Sequence, residues 1–242
     1  MESYEEEIHL LSRVEILEPL SEEDLRGLLK RSLEKHLEAG ETFFTPEDTS
    51  ERLFILKKGR VRIFRQSDGR ELTLAEIEAG TIFGEMALTA QRLRGSYAQA
   101  MEPSILISMS RADLEHIIEE NPQVGNRLVH LLSERLRSYE ERMEDLTLKE
   151  IPARLASLIL LLCEGEGVMT RQDIKIPHHY THERLGTMIG AKREAVTRAF
   201  AKLQDEGAVE LRRRLIHVSD IEALRRVAGH PSPQDIPRDI NP

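Results

Sequence analysis

Arg193, Glu194, Thr197 and Arg198 fall within two turns of one amphipathic segment, and their side chains suit the edges of base pairs. An arginine bonds guanine O6 and N7 together, and a glutamate accepts from the N4 amino group of cytosine. A purely electrostatic patch would not set Glu194 between two arginines, because a carboxylate near phosphate is repelled. Lys192 and Lys202 add positive charge along the same segment. The ordinary alternative is a solvated face of a helical hairpin.

The elements that must position these residues span 181–207. A first short helix holds Leu185, Met188 and Ile189 on one side, and Gly190 then breaks the pattern. A second helix is expected from about 193 to 206. Its Val196, Phe200 and Leu203 recur at spacings of four and three and form one buried stripe. Gly207 stands where a helix C-terminus favours positive φ. The pattern is that of a helix-turn-helix, whose second helix enters the major groove. Beyond it, two strand-like runs, Val209-Glu210-Leu211 and Leu215-Ile216-His217-Val218, flank Arg212, Arg213 and Arg214, which predicts a β-hairpin wing with arginines for phosphate contact. Ile221, Leu224 and Val227 predict a last short helix, and the polar, proline-rich residues 230–242 predict a disordered tail.

Charge supports the division. Residues 170–230 hold 12 Lys/Arg against 8 Asp/Glu, a net +4, while the chain as a whole is −9 and the remainder therefore −13. A basic C-terminal domain on an acidic body suits a DNA reader with a separate control domain. The length of 242 residues allows two domains. Cys163 is the one cysteine, which excludes an intramolecular disulfide and four-cysteine metal sites; its aliphatic neighbours predict a buried small hydrophobe. The acidic residues 1–7 do not resemble a signal peptide, and the apolar run 158–163 is too short to span a bilayer. A cytoplasmic protein without a membrane partner is expected.

The control domain precedes. Residues 1–38 are expected to be helical, with Ser21 capping the acidic turn Glu22, Glu23, Asp24 ahead of Leu25, Leu28 and Leu29, and a shorter helix around Leu10, Leu11 and Val14. From 41 to 109, short apolar runs alternate with turn signals, Asp68-Gly69 being the strongest, which predicts a small barrel or jelly roll. A helical turn interrupts it at Gly84, Glu85 and Met86, followed by Arg94 and Gly95. Backbone N–H groups and Arg94 suit a phosphate there, and Glu85 suits a ribose hydroxyl; the alternative is a Glu85–Arg94 ion pair closing an empty loop. Next, Asn121-Pro122 opens a long helix. Leu132, Tyr139 and Leu146 recur every seven residues, as do Leu136 and Met143, between charged flanks. That narrow seam predicts a homodimer. Pro152 marks a hinge before a further helix over 153–163.

Taken in this order, residues 8–228 resemble the CRP/FNR family of bacterial transcription regulators, most specifically at Phe83-Gly84-Glu85 and at residues 190–198, GAKREAVTR. The resemblance implies an α+β fold: a cyclic-nucleotide-binding-like jelly-roll barrel over 1–120, a dimerisation helix over 121–150, and a winged helix-turn-helix over 151–229. It implies double-stranded DNA and RNA polymerase as partners, and TGTGA-like half-sites read by Arg193, Glu194 and Arg198 from a palindrome. Thr197 stands where some members place a small hydroxyl residue. The chain departs from the cyclic-AMP-binding members at several points. Gly95 replaces the Ser after the phosphate-binding Arg, and the loop from Glu85 to Arg94 is one residue shorter. Tyr139 and Glu140 replace a Thr-Ser pair that contacts adenine, and Lys192 replaces a Ser helix cap. These departures point to a dimer active without an effector, with Tyr139 filling the seam; an activator needing a cyclic nucleotide is the alternative, and no cofactor follows with certainty. The N-terminal cysteines of the FNR type are missing.

His178, His179 and His182 raise a metal reading, but the first two precede the helix and the zinc-protease spacing is absent, so Thr181 and His182 are read as a polar cap or phosphate contact. A cupin-like enzyme needs histidines on barrel strands, and none occurs between His36 and His116. No nucleophile–base pair is apparent, so no enzyme is expected. A regulatory subunit without DNA binding conflicts with the helix-turn-helix and wing.

Overall fold

The computed structural model describes residues 2–89 and 93–229, in two compact units. One comprises residues 1–69 and 73–138; the other comprises 70–72 and 139–242. The tail over 230–242 lies outside the described residues, as do residues 90–92 of the loop before Arg94.

In the first unit, α1 (Glu2–Leu11) and α2 (Glu22–Arg31) precede the strands. The Ser21 hydroxyl accepts from the Asp24 N–H, and the Asp24 carboxylate accepts from the Ser21 N–H, a reciprocal capping box. The helical expectation for residues 33–37 is corrected. They form β1 (Leu33–Leu37), because pairing with the strand over Ser104–Ser110 outweighs a local pattern of Leu, Glu and Lys that suits a helix.

The strands that follow are β2 (Thr42–Phe44), β3 (Arg52–Lys58), β4 (Arg60–Ser67), β5 (Arg70–Glu78), β6 (Ile82–Phe83), β7 (Tyr97–Ala100) and β8 (Ser104–Ser110). They make two four-stranded sheets, ordered β1-β8-β3-β6 and β2-β7-β4-β5. The expected hairpin at Asp68-Gly69 has φ of 50° and 69° there, the signs of a type I′ turn. Strand β3 is apolar without alternation because both of its faces are buried. Phe54 and Leu56 point into the barrel core with Phe44, Val61, Phe83 and Leu106, while Leu53 and Ile55 join Leu11, Leu25, Leu28 and Met109 in a second core beneath the helices. α3 (Arg111–Glu120), capped by Ser110, adds Leu114 and Ile117 to that second core.

α4 (Pro122–Leu148) is one helix of 27 residues. In the second unit, α5 (Ile151–Glu166) carries Pro152 in its first turn. Then come β9 (Val168–Met169), β10 (Ile174–Lys175), α6 (His182–Ile189), α7 (Arg193–Asp205), β11 (Val209–Arg212), β12 (Leu215–Val218) and α8 (Ile221–Ala228), with a sheet ordered β11-β12-β10-β9. One core joins Leu155 and Ile159 of α5, Leu185 and Ile189 of α6, Val196, Phe200 and Leu203 of α7, Ile216 of the wing and Leu224 of α8. Cys163 is half-buried against this core, and burial raises its thiol to about 11, so it packs as a hydrophobe. Among the described residues, no helix is long and apolar enough to cross a membrane.

Candidate nucleic-acid interface and effector pocket

The turn between α6 and α7 is built from two glycines. Gly190 has φ of 65° and ends α6 in the left-handed region. Gly186 lies so close to the incoming chain that a Cβ there would sit 2.5 Å from the Ala191 carbonyl oxygen. Thr181 opens α6 by accepting from the Arg184 N–H. Within the second unit, the α6 carbonyl of Met188 accepts from the Arg142 guanidinium at the C-terminal end of α4. Neither Gly186 nor Arg142 was singled out by the sequence; a glycine inside a helical pattern is the one signal that marks the first.

On α7, Val196, Ala199, Phe200 and Leu203 are buried, and Arg193, Glu194, Thr197, Arg198 and Lys202 are exposed on the opposite side. Lys192 is the N-cap residue and makes no side-chain cap bond. Thr197 Oγ1 donates to the Arg193 carbonyl at 3.0 Å, and His182 Nδ1 lies 2.8 Å from the same hydroxyl. The His182 ring stacks on Phe200 at 5.5 Å between centroids. Burial, then the charge of Arg193, holds the His182 pKa below its ordinary value.

The wing turns through two residues. Arg212 pairs with Leu215, which leaves Arg213 and Arg214 as the loop at φ of 51° and 66°. Arg212 itself is held by carboxylates. Its guanidinium bonds Asp173 at 2.6 Å and Glu210 at 2.7 Å. Asp173 is buried and also accepts from the Thr170 hydroxyl at 2.6 Å, with His217 Nδ1 at 3.1 Å. The histidines suspected of metal binding diverge: His178 meets Glu166, whereas His182 meets Thr197.

In the barrel, Gly84 at φ of 85° starts a short 3-10 turn over Glu85–Leu88. A Cβ on Gly84 would lie 2.9 Å from Arg94 Nη1 and 3.1 Å from the Phe54 ring, so a side chain is excluded there. Arg94 is 6% exposed. Its guanidinium stacks over Phe44 at 4.6 Å and Phe54 at 5.0 Å, and it donates to the carbonyls of Gly84 at 3.3 Å and Arg52 at 2.9 Å. Its Nε has no partner among the described residues. Burial lowers the Arg94 pKa to about 10, with Asp48 and Glu85 opposing. A buried cation with a free donor suits an anion. Glu85 bonds Arg135 of α4 at 2.7 Å, and Arg135 also donates to the Ile82 carbonyl. The partner of Glu85 is thus Arg135, a residue 50 positions away that sequence spacing does not mark. Gly95 is left-handed at φ of 68°, Met86 is exposed beside Glu85, and Tyr139 belongs to the second unit.

On α4, Leu132, Leu136, Tyr139 and Met143 are exposed, and Leu146 is partly covered. Val129, 65% exposed, completes the row 129, 136, 143 and was not singled out by the sequence.

A jelly-roll barrel joined to a winged helix-turn-helix defines the architecture of a DNA-binding regulator. Residues 34–121 match the cyclic nucleotide-binding domain family, and residues 153–227 match the Crp-like helix-turn-helix domain. The chain is 32% identical over 191 residues to the cyclic AMP receptor protein of Thermus thermophilus, covering 78% of this chain and 85% of that one. It is 31% identical over 201 residues to the global nitrogen regulator of Synechococcus elongatus, covering 82% of this chain and 90% of that one. Its fold superposes on a mutant of CooA from Carboxydothermus hydrogenoformans with a TM-score of 0.73 at 25% identity, over 84% of this chain and 90% of that one. The chain belongs to the CRP/FNR family of DNA-binding transcription regulators, which are not enzymes.

Proposed function

We propose that the chain works in the bacterial cytoplasm as a homodimer that reads a palindromic, TGTGA-like duplex and needs no small-molecule effector to do so. Residues 1–120 serve as the sensor domain, 121–150 as the dimerisation helix and 151–229 as the DNA reader. The exposed apolar row on α4 supports the dimer, since solvated helix faces do not carry Val129, Leu132, Leu136 and Met143 in register. Two such helices set two copies of α7 about one DNA turn, roughly 34 Å, apart. Arg193, Glu194 and Arg198 then face base edges, while Arg213, Arg214, Lys192 and Lys202 face phosphates. RNA polymerase is the partner that such a complex would recruit.

The observation that carries effector independence is the Arg135–Glu85 bond. The carboxylate suited to a ribose hydroxyl is already engaged by the long helix at 2.7 Å. The second reading, a cyclic-nucleotide-dependent activator, rests on the buried Arg94 Nε, which has no partner among the described residues. Of the relatives named above, one is by name a cyclic AMP receptor protein and the other a global nitrogen regulator, so family membership does not choose between the two. Fluorescence anisotropy on a palindromic TGTGA duplex, with and without cyclic AMP at fixed salt, does. Equal affinity in both conditions is the expected result. A cyclic-AMP requirement would put a nucleotide on Arg94 and displace Arg135 from Glu85.

A further inference from the structure

We propose that His182 sets the base preference of Thr197 by donating to its hydroxyl and presenting Thr197 to the major groove as a hydrogen-bond acceptor. The inference rests on the reading that α7 faces DNA, and it adds a specificity-determining residue from outside that helix.

Proton accounting leads to it. The Thr197 hydroxyl lies 3.0 Å from the Arg193 carbonyl oxygen and 2.8 Å from His182 Nδ1. A carbonyl oxygen only accepts, so the one hydroxyl proton goes to Arg193. The bond to His182 then needs a proton on Nδ1. With its own proton directed back along α7 and one lone pair taken by His182, Thr197 Oγ1 has a single lone pair left for the outside. It therefore favours a base that offers an amino group, adenine N6 or cytosine N4, over one that offers thymine O4 or guanine O6.

The ring is placed to hold this state. His182 starts α6, directly after the cap residue Thr181, which fixes where its side chain leaves the backbone. Its ring lies on Phe200 at 5.5 Å with an interplanar angle of 21°, and Phe200 is buried in the domain core. Nδ1 is thereby pinned against Thr197 while Thr197 itself stays exposed. A threonine without that partner keeps only its bond to the Arg193 carbonyl, and its hydroxyl proton can then turn toward the groove.

The test measures discrimination at each position of the half-site by competition anisotropy at fixed salt. The proteins are full-length wild type, Thr197→Val, His182→Phe, His182→Asn, the double variant Thr197→Val with His182→Phe, and Arg198→Ala. His182→Phe keeps a ring on Phe200 and loses the donor; His182→Asn restores an N–H near the Nδ1 position. Thr197→Val and His182→Phe should each lose roughly threefold to tenfold discrimination at one and the same position, the worth of one hydrogen bond. The double variant should lose no more than Thr197→Val alone, and His182→Asn should retain the wild-type preference. Wild-type discrimination in His182→Phe at the position that Thr197→Val loses overturns the proposal. So does a Thr197→Val protein unchanged at every position. Should His182→Phe not fold, His182→Gln, which moves the amide out to the Nε2 position, must show the same loss, and its retention of the preference refutes the coupling. Arg198→Ala separates the two levels: if it too leaves every preference intact, the reading of α7 as the base-contacting helix fails; if it alone loses a preference, that reading stands and the Thr197–His182 proposal fails.

Discussion

Replacing the wing-tip pair by Asn-Gly, with Arg213→Asn and Arg214→Gly together, should make the protein more stable and bind DNA less tightly. Both arginines sit at positive φ, 51° and 66°, in a two-residue loop of the type that favours Asn-Gly. A non-glycine residue held there costs about 1 kcal/mol or more. The glycine introduced at 214 returns about 0.5–1 kcal/mol of that as unfolded-chain entropy. Asn, which tolerates that region better than Arg, relieves part of the cost at 213 as well, so the net gain is about 0.5–1 kcal/mol, or roughly 2–8 °C in the melting of a domain of this size. DNA binding moves the other way. Each arginine that neutralises a phosphate contributes about 0.9 to the slope of log K against log salt, so the slope should fall by about 1.8 per protomer, equally on cognate and scrambled duplexes. Thermal melts and anisotropy titrations over a salt series read both quantities. A variant that melts no higher and keeps its salt slope would refute the reasoning, since the strain would then be unreal and the arginines idle. A loss confined to the cognate duplex would show that the tip reads bases.

Other perturbations follow from the same geometry. Gly186→Ala drives a Cβ to 2.5 Å from the Ala191 carbonyl and should destabilise the DNA-binding unit by about 1–3 kcal/mol in urea unfolding; a wild-type midpoint would show that the turn yields. Leu136→Glu with Met143→Glu should give a monomer by light scattering and abolish tight duplex binding, whereas a dimer of wild-type mass would place the interface elsewhere. Asp173 lies below its ordinary 3.8 because the Thr170 hydroxyl donates to it, with His217 and Arg212 adding. A depressed carboxylate lends stability that is present above the unfolded value and lost as pH falls through the folded one. Urea midpoints should therefore fall more steeply below about pH 4 in wild type than in Asp173→Asn; parallel curves would remove Asp173 from the account.

The helix-turn-helix was legible because its signals are local. Periodicity marked Val196, Phe200 and Leu203 as the buried stripe, and left-handed glycines stand at 190 and 207. The barrel was legible as short strands with turn signals but not in its sheet order, which depends on long-range pairing. β1 was hidden because Leu33 and Leu37 stand four apart among Glu and Lys, and only the register with β8 makes them a strand. The start of α3 is signalled locally, by Ser110 accepting from the Asp113 N–H. The site partners were the least legible. Arg135 reaches Glu85 across 50 positions, and Arg212 reaches Asp173 across 39. Residue types placed Arg212 among the phosphate contacts, yet its guanidinium lies between two carboxylates, which makes Arg213 and Arg214 the wing residues better placed for DNA. Charge alone does not reveal which of three adjacent arginines the fold has already engaged.

The measurement that tests the central claim most directly is the ratio of affinities for a palindromic TGTGA duplex and a scrambled one, at fixed salt and without nucleotide, for wild type and Arg198→Ala. The account predicts selective binding by wild type with two protomers per duplex. It predicts that Arg198→Ala loses about 1–3 kcal/mol of discrimination at one position of each half-site and keeps its affinity for the scrambled duplex within a few-fold. Equal ratios in the two proteins would contradict base reading by α7.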